Sequence, residues 1–293
     1  MSDTRFQGAG VALVTPFNAQ GEVDYQALKK VAAHTIDNKI DFLVVLGTTA
    51  ETPTLSREEK DQVVLTILGV NAGRKPVVLG IGGNDTAAVI RQMREQSFDG
   101  IDAILTVAPY YNKPNQTGLL RHFEAIATVS PLPVIIYNVP GRTGSNISAD
   151  TTLRLANDVP NIIATKEASG NLEQIMTILR DKPEGFMVLS GDDSLTLPMM
   201  SLGAEGVISV AANAVPEKMH EMCRLAMEGN FEAARRIHNQ LLELMGLIFA
   251  EGSPAGIKAA LNATGICGES VRLPLVPVSS VLKDRIALSL KKL

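Results

Sequence analysis

Ile162-Ile163-Ala164-Thr165-Lys166-Glu167-Ala168, followed by a helix-like segment from Asn171, is the stretch on which the fold turns. β-branched and small residues lead into a lysine, then a turn, then a helix start: one strand–helix unit. The same unit recurs along the chain. Short apolar runs at 10–15, 41–46, 76–80, 101–107, 133–137, 161–165, 186–189 and 206–210 read as strands. Between them lie segments with helical spacing. They run from Asp24 to Asn38, from Ser56 to Gly69, from Asn84 or Asp85 to about Ser97, and from Asn115 to Val129. Further helices start at Ser148 or Asp150, at Asn171 and at Asp193, and a last one covers 215–228. Ser56 with Glu59 forms a capping-box signature, and Asp24 is a suitable N-cap.

The strands are mostly continuous apolar runs, as expected of strands buried on both faces of a parallel sheet. The repetition of the unit fits a closed (β/α)8 TIM barrel, of class α/β, better than an open doubly wound sheet. A doubly wound sheet calls for a glycine fingerprint after its first strand, and that strand ends in Val14-Thr15-Pro16. Gly80-Ile81-Gly82-Gly83-Asn84 follows the third strand, lacks the third glycine of the fingerprint and reads as a tight turn. Beyond Gly229 the strand signal stops, and 230–249, 255–263 and 278–293 read as helices. The expected organisation is a catalytic barrel over 1–229 with a C-terminal helical appendage over 230–293.

The 293 residues are 45% hydrophobic and 20% charged, enough for a large core without staples. A formal charge of −4 gives no basic footprint for nucleic acid. No apolar run approaches the ~20 residues of a membrane span, and the first ten residues have no signal-peptide character. Cys223 and Cys267 have no CxxC partner, so a reducing cytoplasm is the expected location. His34, His122, His220 and His238 show no metal-ligand spacing, and neither a metal nor an organic cofactor is expected. Asp192-Asp193 suggests a metal pair less than a helix cap at Asp193.

In a barrel of this kind the site lies at the C-terminal ends of the strands. Those ends carry Thr48, Thr49 and Glu51, then Tyr110 and Tyr111, then Tyr137 and Arg142, then Lys166 and Glu167, with Asp192-Asp193 and Ile208-Ser209 last. The chain has four tyrosines, and all but Tyr25 sit at these ends, which core filling alone does not explain. A buried ammonium without a partner tends to neutralise, and a neutral lysine amine attacks carbonyl carbon. Lysine, tyrosine and threonine hydroxyls at one mouth therefore suggest a Schiff-base site with a hydroxyl relay. The competing reading is a snorkelling Lys166 paired with Glu167 or Glu51.

Four motifs make the resemblance specific: Gly47-Thr48-Thr49-Ala50-Glu51, Tyr110-Tyr111-Asn112-Lys113-Pro114, Tyr137-Asn138-Val139-Pro140-Gly141-Arg142-Thr143-Gly144 and Lys166-Glu167-Ala168-Ser169-Gly170-Asn171. In this order, and over essentially the whole chain, they resemble the dihydrodipicolinate synthase family. That family belongs to the pyruvate-dependent class I aldolases, which also include N-acetylneuraminate lyase. The resemblance implies condensation of pyruvate with L-aspartate 4-semialdehyde in lysine and diaminopimelate synthesis. It implies Lys166 as the Schiff-base amine, Tyr137 as the adjacent proton donor and acceptor, and Thr48 and Tyr111 as the rest of a relay. In the family the counterpart of Tyr111 crosses a subunit interface, which implies at least a dimer; the family favours a homotetramer built as a dimer of dimers. Thr49 and the backbone of Ile208 are implied to hold the pyruvate carboxylate.

Arg142 sets the substrate class. A guanidinium matches a carboxylate with its planar fork, and the sugar-acid lyases usually lack an arginine after Asn-Val-Pro. A sugar-acid aldolase and a barrel that only senses ligands are the alternatives. The chain departs from the family in two places. Ala50 stands where glycine is usual after the threonine pair. Asn84 and Tyr110 match a lysine regulatory site, but Ala88 replaces its glutamate, and Arg57 and Lys60 stand at its histidine positions. Weak or absent inhibition by lysine is the expectation.

Overall fold

A computed structural model of the protein describes residues 4–293. Eight strands run parallel and close on themselves: β1 (Gly8–Ala12), β2 (Phe42–Val45), β3 (Val77–Gly80), β4 (Ala103–Val107), β5 (Val134–Asn138), β6 (Ile162–Glu167), β7 (Met187–Ser190) and β8 (Gly206–Ser209). Strand β8 pairs with β1 through Gly8↔Gly206 and Gly10↔Ile208, which seals the barrel. The crossover helices are α1 (Tyr25–Asp37), α2 (Arg57–Asn71), α3 (Thr86–Glu95), α4 (Gln116–Val129), the short α5 (Pro140–Thr143), α6 (Ala149–Asp158), α7 (Leu172–Asp181), α8 (Thr196–Ser201) and α9 (Pro216–Met227). Three further helices follow: α10 (Phe231–Leu247), α11 (Ala255–Ala263) and α12 (Ser280–Leu290).

Local chemistry starts the helices where the sequence places them. Asp24, Asp85, Asn115, Ser148 and Asn171 each accept a first-turn amide, and Ser56 with Glu59 closes both halves of a capping box. Two expectations are corrected. The first strand is Gly8–Ala12 rather than 10–15: the Leu13 amide makes the last bond to β2, at the Val44 carbonyl, and the Val14 amide turns to the Asn213 side chain at 3.2 Å. Residues 13–15 are apolar or small because they are buried. Asp193 caps no helix, since α8 starts only at Thr196 without a side-chain cap. The Asp193 carboxylate is buried and accepts from the amides of Val210 and Ala211 at 3.1 and 2.8 Å. Asp192 instead accepts from the amides of Ser194 and Leu195.

The core has two layers, as the period-two alternation of strands requires. Phe42, Val44, Val78, Leu105, Ile135, Tyr137, Ala164, Leu189 and Ile208 fill the lumen. Leu43, Val45, Leu79, Ile104, Ile136, Val188 and Val207 face the helices. Gly10 is required by this packing, because a Cβ there would lie 2.2 Å from the Phe42 ring. The buried cluster outside the barrel continues without a break into α10–α12 through Leu241, Leu244, Ile257 and Ile286.

Strand β6 contains the irregularity that matters most. Val134 pairs with Ile162, but Ile135 pairs with Ala164, so Ile163 is an extra residue. Ile162 faces the helices and Ala164 faces the lumen. Regular alternation over this span would put Ile162, Ala164 and Lys166 on one face, and the bulge at Ile163 breaks that phase. With the bulge, Lys166 follows Ala164 into the barrel, and Thr165 and Glu167 point to the helices.

Candidate active site

Lys166 and Tyr137 are Cα partners across β5 and β6, both facing the lumen near its C-terminal mouth. Lys166 is 5% exposed, and its Nζ lies 4.2 Å from the centroid of the Tyr137 ring. Gly191, at the end of β7, allows this placement: a Cβ there would sit 3.0 Å from the Lys166 Cε. Among the described residues no carboxylate forms an ion pair with Lys166. Glu167 points away and accepts from the Asn138 side chain at 3.1 and 3.2 Å, the Ser169 amide at 2.7 Å and the Gln174 side chain at 3.3 Å. Glu51 is bound to Lys258 at 2.5 Å. The snorkelling arrangement with Glu167 or Glu51 is therefore not the one adopted.

Burial lowers the Lys166 amine to about 7; Asp193 opposes the shift and Arg142 assists it. Burial also raises the Tyr137 hydroxyl to about 12, against the pull of Arg142 and of a hydrogen bond with Thr48. Near neutral pH the pair therefore combines an amine with a substantial neutral fraction and a phenol that keeps its proton. One Asp193 oxygen, Oδ1, is buried and has no partner.

A cavity of about 420 Å³, lined by Tyr137 of this pair, opens between Thr48, Tyr110, Val139 and Arg142. Thr48 and Thr49 lie in a 3-10 turn, Thr48–Ala50, directly after β2, with Thr48 exposed and Thr49 buried. Ala50 is buried within that turn. Arg142 is exposed on α5 and its side chain makes no hydrogen bond or ion pair among the described residues, so its guanidinium is available to an anion. Ile208 is wholly buried in β8. Tyr111 stands apart from the others: it is 88% exposed and has a left-handed backbone, φ +73°. A bulky residue adopts that region at a cost, and here the strain holds a tyrosine out in solvent at the rim.

Asn84 donates from its side chain to the Tyr110 carbonyl at 3.1 Å. Beside it a second cleft, of about 310 Å³, is lined by Arg57, Lys60, Ala88, Arg91 and Gln92. Of the histidines, His122 bonds Thr86 at 2.9 Å and His220 bonds Asp41 at 3.0 Å, while His238 is buried on α10. Among the described residues no three potential metal ligands cluster, and no helix is long and apolar enough to cross a membrane. Sequence reasoning missed Gly191 and the bonding of Asp193 and Glu51. The small residue after Ser190 was a readable sign of close approach, whereas nothing local indicated where the two carboxylates would bond.

The model of the dihydrodipicolinate synthetase family matches residues 5–293. The chain belongs to this family. It is 50% identical over 293 residues to the 4-hydroxy-tetrahydrodipicolinate synthase of Parabacteroides distasonis, covering 100% of this chain and 99% of that one. The solved dihydrodipicolinate synthase of Aquifex aeolicus superposes with a TM-score of 0.94 at 45% identity, covering 98% of each chain. The enzyme of Cyanidioschyzon merolae, solved with lysine bound, superposes with a TM-score of 0.94 at 40% identity, again over 98% of each chain.

Proposed function

We propose that the chain is a lyase of the 4-hydroxy-tetrahydrodipicolinate synthase type, joining pyruvate to L-aspartate 4-semialdehyde through an imine on Lys166. The observation that carries this reading is the buried Lys166 amine, without an ion pair, against Tyr137, which lines a cavity edged by Arg142. Its relatives of like length bear the name of that activity. Neutral Nζ adds to the pyruvate ketone, and loss of water gives the imine. A methyl proton then leaves and the enamine forms. The enamine carbon attacks the aldehyde of the second substrate, whose oxygen takes a proton to become the product hydroxyl. The amino group of that substrate next attacks the imine carbon, closes the ring and expels the Lys166 amine.

Each transfer of a proton needs a group that can give and take it at the reacting atoms. Tyr137 keeps its phenolic proton at neutral pH, and the Thr48 hydroxyl, which lines the same cavity, acts on it, so the two can pass protons in turn. Tyr111 would complete the relay from the neighbouring subunit, and its exposure and strained backbone suit insertion into a partner. The assembly that does this is a dimer, paired into a homotetramer, in the cytoplasm. Thr49, through hydroxyl and amide, and the Ile208 backbone would hold the pyruvate carboxylate. Arg142 would take the carboxylate of the semialdehyde as a bidentate partner. No cofactor is needed, since the lysine itself supplies the electron sink as an iminium.

Lysine feedback should be weak. Ala88 offers no carboxylate to a ligand ammonium; the adjoining cleft sets Arg57, Lys60 and Arg91 against Asp61 and Glu95, and Glu95 is already paired with Arg57 at 2.8 Å.

The test has two parts. Borohydride reduction with pyruvate should add one reduced pyruvate per chain. In a separate sample without borohydride, the protein with pyruvate should consume aspartate semialdehyde and leave N-acetylneuraminate untouched. The absence of an adduct would rule out the imine, and cleavage of N-acetylneuraminate would move the chain to the sugar-acid lyases.

A further inference from the structure

Glu51 and Lys258 take no part in the chemistry above, yet both are almost completely withdrawn from water, at 3% and 0% exposure. They are 207 residues apart in the chain. Lys258 projects from α11 and donates to Glu51 Oε1 at 2.5 Å and to the Ser270 carbonyl at 2.8 Å. The other Glu51 oxygen accepts the amide of Arg272 at 2.9 Å. The Phe17 ring lies 4.1 Å from the Lys258 Nζ and 4.4 Å from the Arg272 guanidinium. An ion pair this dry stabilises a fold no better than apolar residues of equal volume, so bulk stability does not explain it.

Its position does. Glu51 ends the turn that carries Thr48 and Thr49. Its amide donates to the Thr48 carbonyl at 3.1 Å, and its carbonyl accepts the amide and hydroxyl of Thr54 at 3.0 and 2.9 Å. Its backbone is left-handed, φ +55°, a strained conformation for a residue with a side chain. Such strain persists only where the surroundings over-determine it, and here both carboxylate oxygens are bound by the C-terminal region. Nearby, the half-buried Arg272 guanidinium grips Glu59 of α2 at 2.5 and 2.7 Å and the carbonyls of Gly21 and Thr54, without touching Glu51 through its side chain.

We propose that the buried Glu51–Lys258 pair, with the Arg272 amide, is the positioning device that fixes the Thr48–Thr49 turn for pyruvate. The C-terminal helices thereby set affinity for the keto acid at a mouth they do not enter. Glu51 and Lys258 are positioning residues: they hold the turn and do not touch the reacting atoms. This inference rests on the reading of Thr49 as a holder of the pyruvate carboxylate.

The test replaces both charges together, as Glu51→Gln/Lys258→Met, so that neither is left buried alone. The readouts are the pyruvate concentration giving half-maximal borohydride trapping and the KM of each substrate. Half-saturation by pyruvate should rise about tenfold, as expected when a binding group shifts by a fraction of an ångström. The KM for aspartate semialdehyde should change less than about twofold. Glu59→Gln, which weakens the neighbouring grip of Arg272 and the Glu59 side of the α2 capping box, should lower the melting temperature and leave pyruvate half-saturation alone. A folded double variant that titrates with pyruvate like the parent overturns the proposal. A parent protein that never traps pyruvate overturns the imine reading itself and takes the proposal with it. Should the double variant fail to fold, hydrogen exchange on the parent decides. The amides of Ala50 and Glu51 should exchange as slowly as those of the barrel strands, and exchange at the rate of exposed loops refutes the proposal.

Discussion

Two lysines lie buried in this molecule, each with its ammonium group over an aromatic ring. Lys166 sits 4.2 Å from the Tyr137 ring centroid and Lys258 sits 4.1 Å from that of Phe17. Burial lowers both amines. They differ in what faces the nitrogen. Lys258 has a carboxylate at 2.5 Å and a carbonyl at 2.8 Å, and its lone pair is committed to a proton shared with neighbours. Lys166 has neither, and Asp193, which makes no ion pair with it, offsets the loss of water only in part, so burial lowers its amine to about 7. The contrast shows that burial alone does not make a nucleophile. A buried amine becomes reactive when the fold withholds its counter-ion.

The contrast can be broken first at Lys166. Lys166→Ala should remove turnover by at least about 10⁴-fold, as loss of a covalent nucleophile does. Circular dichroism should show an intact fold. Retained turnover in a steady-state assay would show that another amine carries the reaction. Lys258→Met alone should behave in the opposite way. It strands the Glu51 carboxylate in the core, at a cost of about 3–5 kcal/mol in denaturant unfolding. An unchanged unfolding midpoint would mean that the pair holds nothing in place.

Tyr137→Phe keeps the ring over Lys166 and removes the proton. A fall in kcat of about 10²-fold is expected, with pyruvate trapping preserved but slower. An unaltered kcat would remove Tyr137 from the relay.

The unsatisfied state of Lys166 also has a stability signature. Its folded value of about 7 lies below the ~10.4 of an unfolded lysine. Between these values the unfolded chain binds more protons, so native stability rises with pH and falls again as pH drops through about 7. Lys166→Met should therefore unfold at higher temperature than the parent near pH 7, by on the order of a few kcal/mol at most. The difference should shrink toward pH 10, as calorimetry across that range would show. A variant less stable at neutral pH would mean that Lys166 has a hidden partner.

The smallest effect concerns the rim. Millimolar L-lysine should leave the rate nearly unchanged, and Ala88→Glu should restore some inhibition. Strong inhibition of the parent at submillimolar lysine would show that the Arg57–Lys60–Arg91 cleft accepts a cation after all.

Much of this was legible in the chain itself. Alternating apolar runs and helix caps marked the barrel, because burial on both faces and capping by Ser, Asp and Asn are local chemistry. The strand-end motifs placed Lys166, Tyr137, Thr48 and Arg142 around one mouth for the same reason: position in a strand–helix unit fixes the end of the barrel. What escaped was non-local. The bulge at Ile163 puts Ile162 and Lys166 on opposite faces, yet it shows only in the register against β5. Asp193 read as a cap because a helical pattern follows it in the sequence, but its carboxylate is taken by amides of the chain after β8. Glu51 bonds to a lysine from the far end of the chain, and no local pattern announces such a partner.

The distinction between the two lysines is tested most directly by locating the pyruvate adduct. The protein is incubated with pyruvate, reduced with borohydride, digested and mapped by mass spectrometry. The reduced adduct should fall on the peptide bearing Lys166 alone, with Lys258 unmodified even at saturating pyruvate. An adduct on any other lysine, or none on Lys166 in folded protein, would contradict the claim that the missing counter-ion makes this amine the nucleophile.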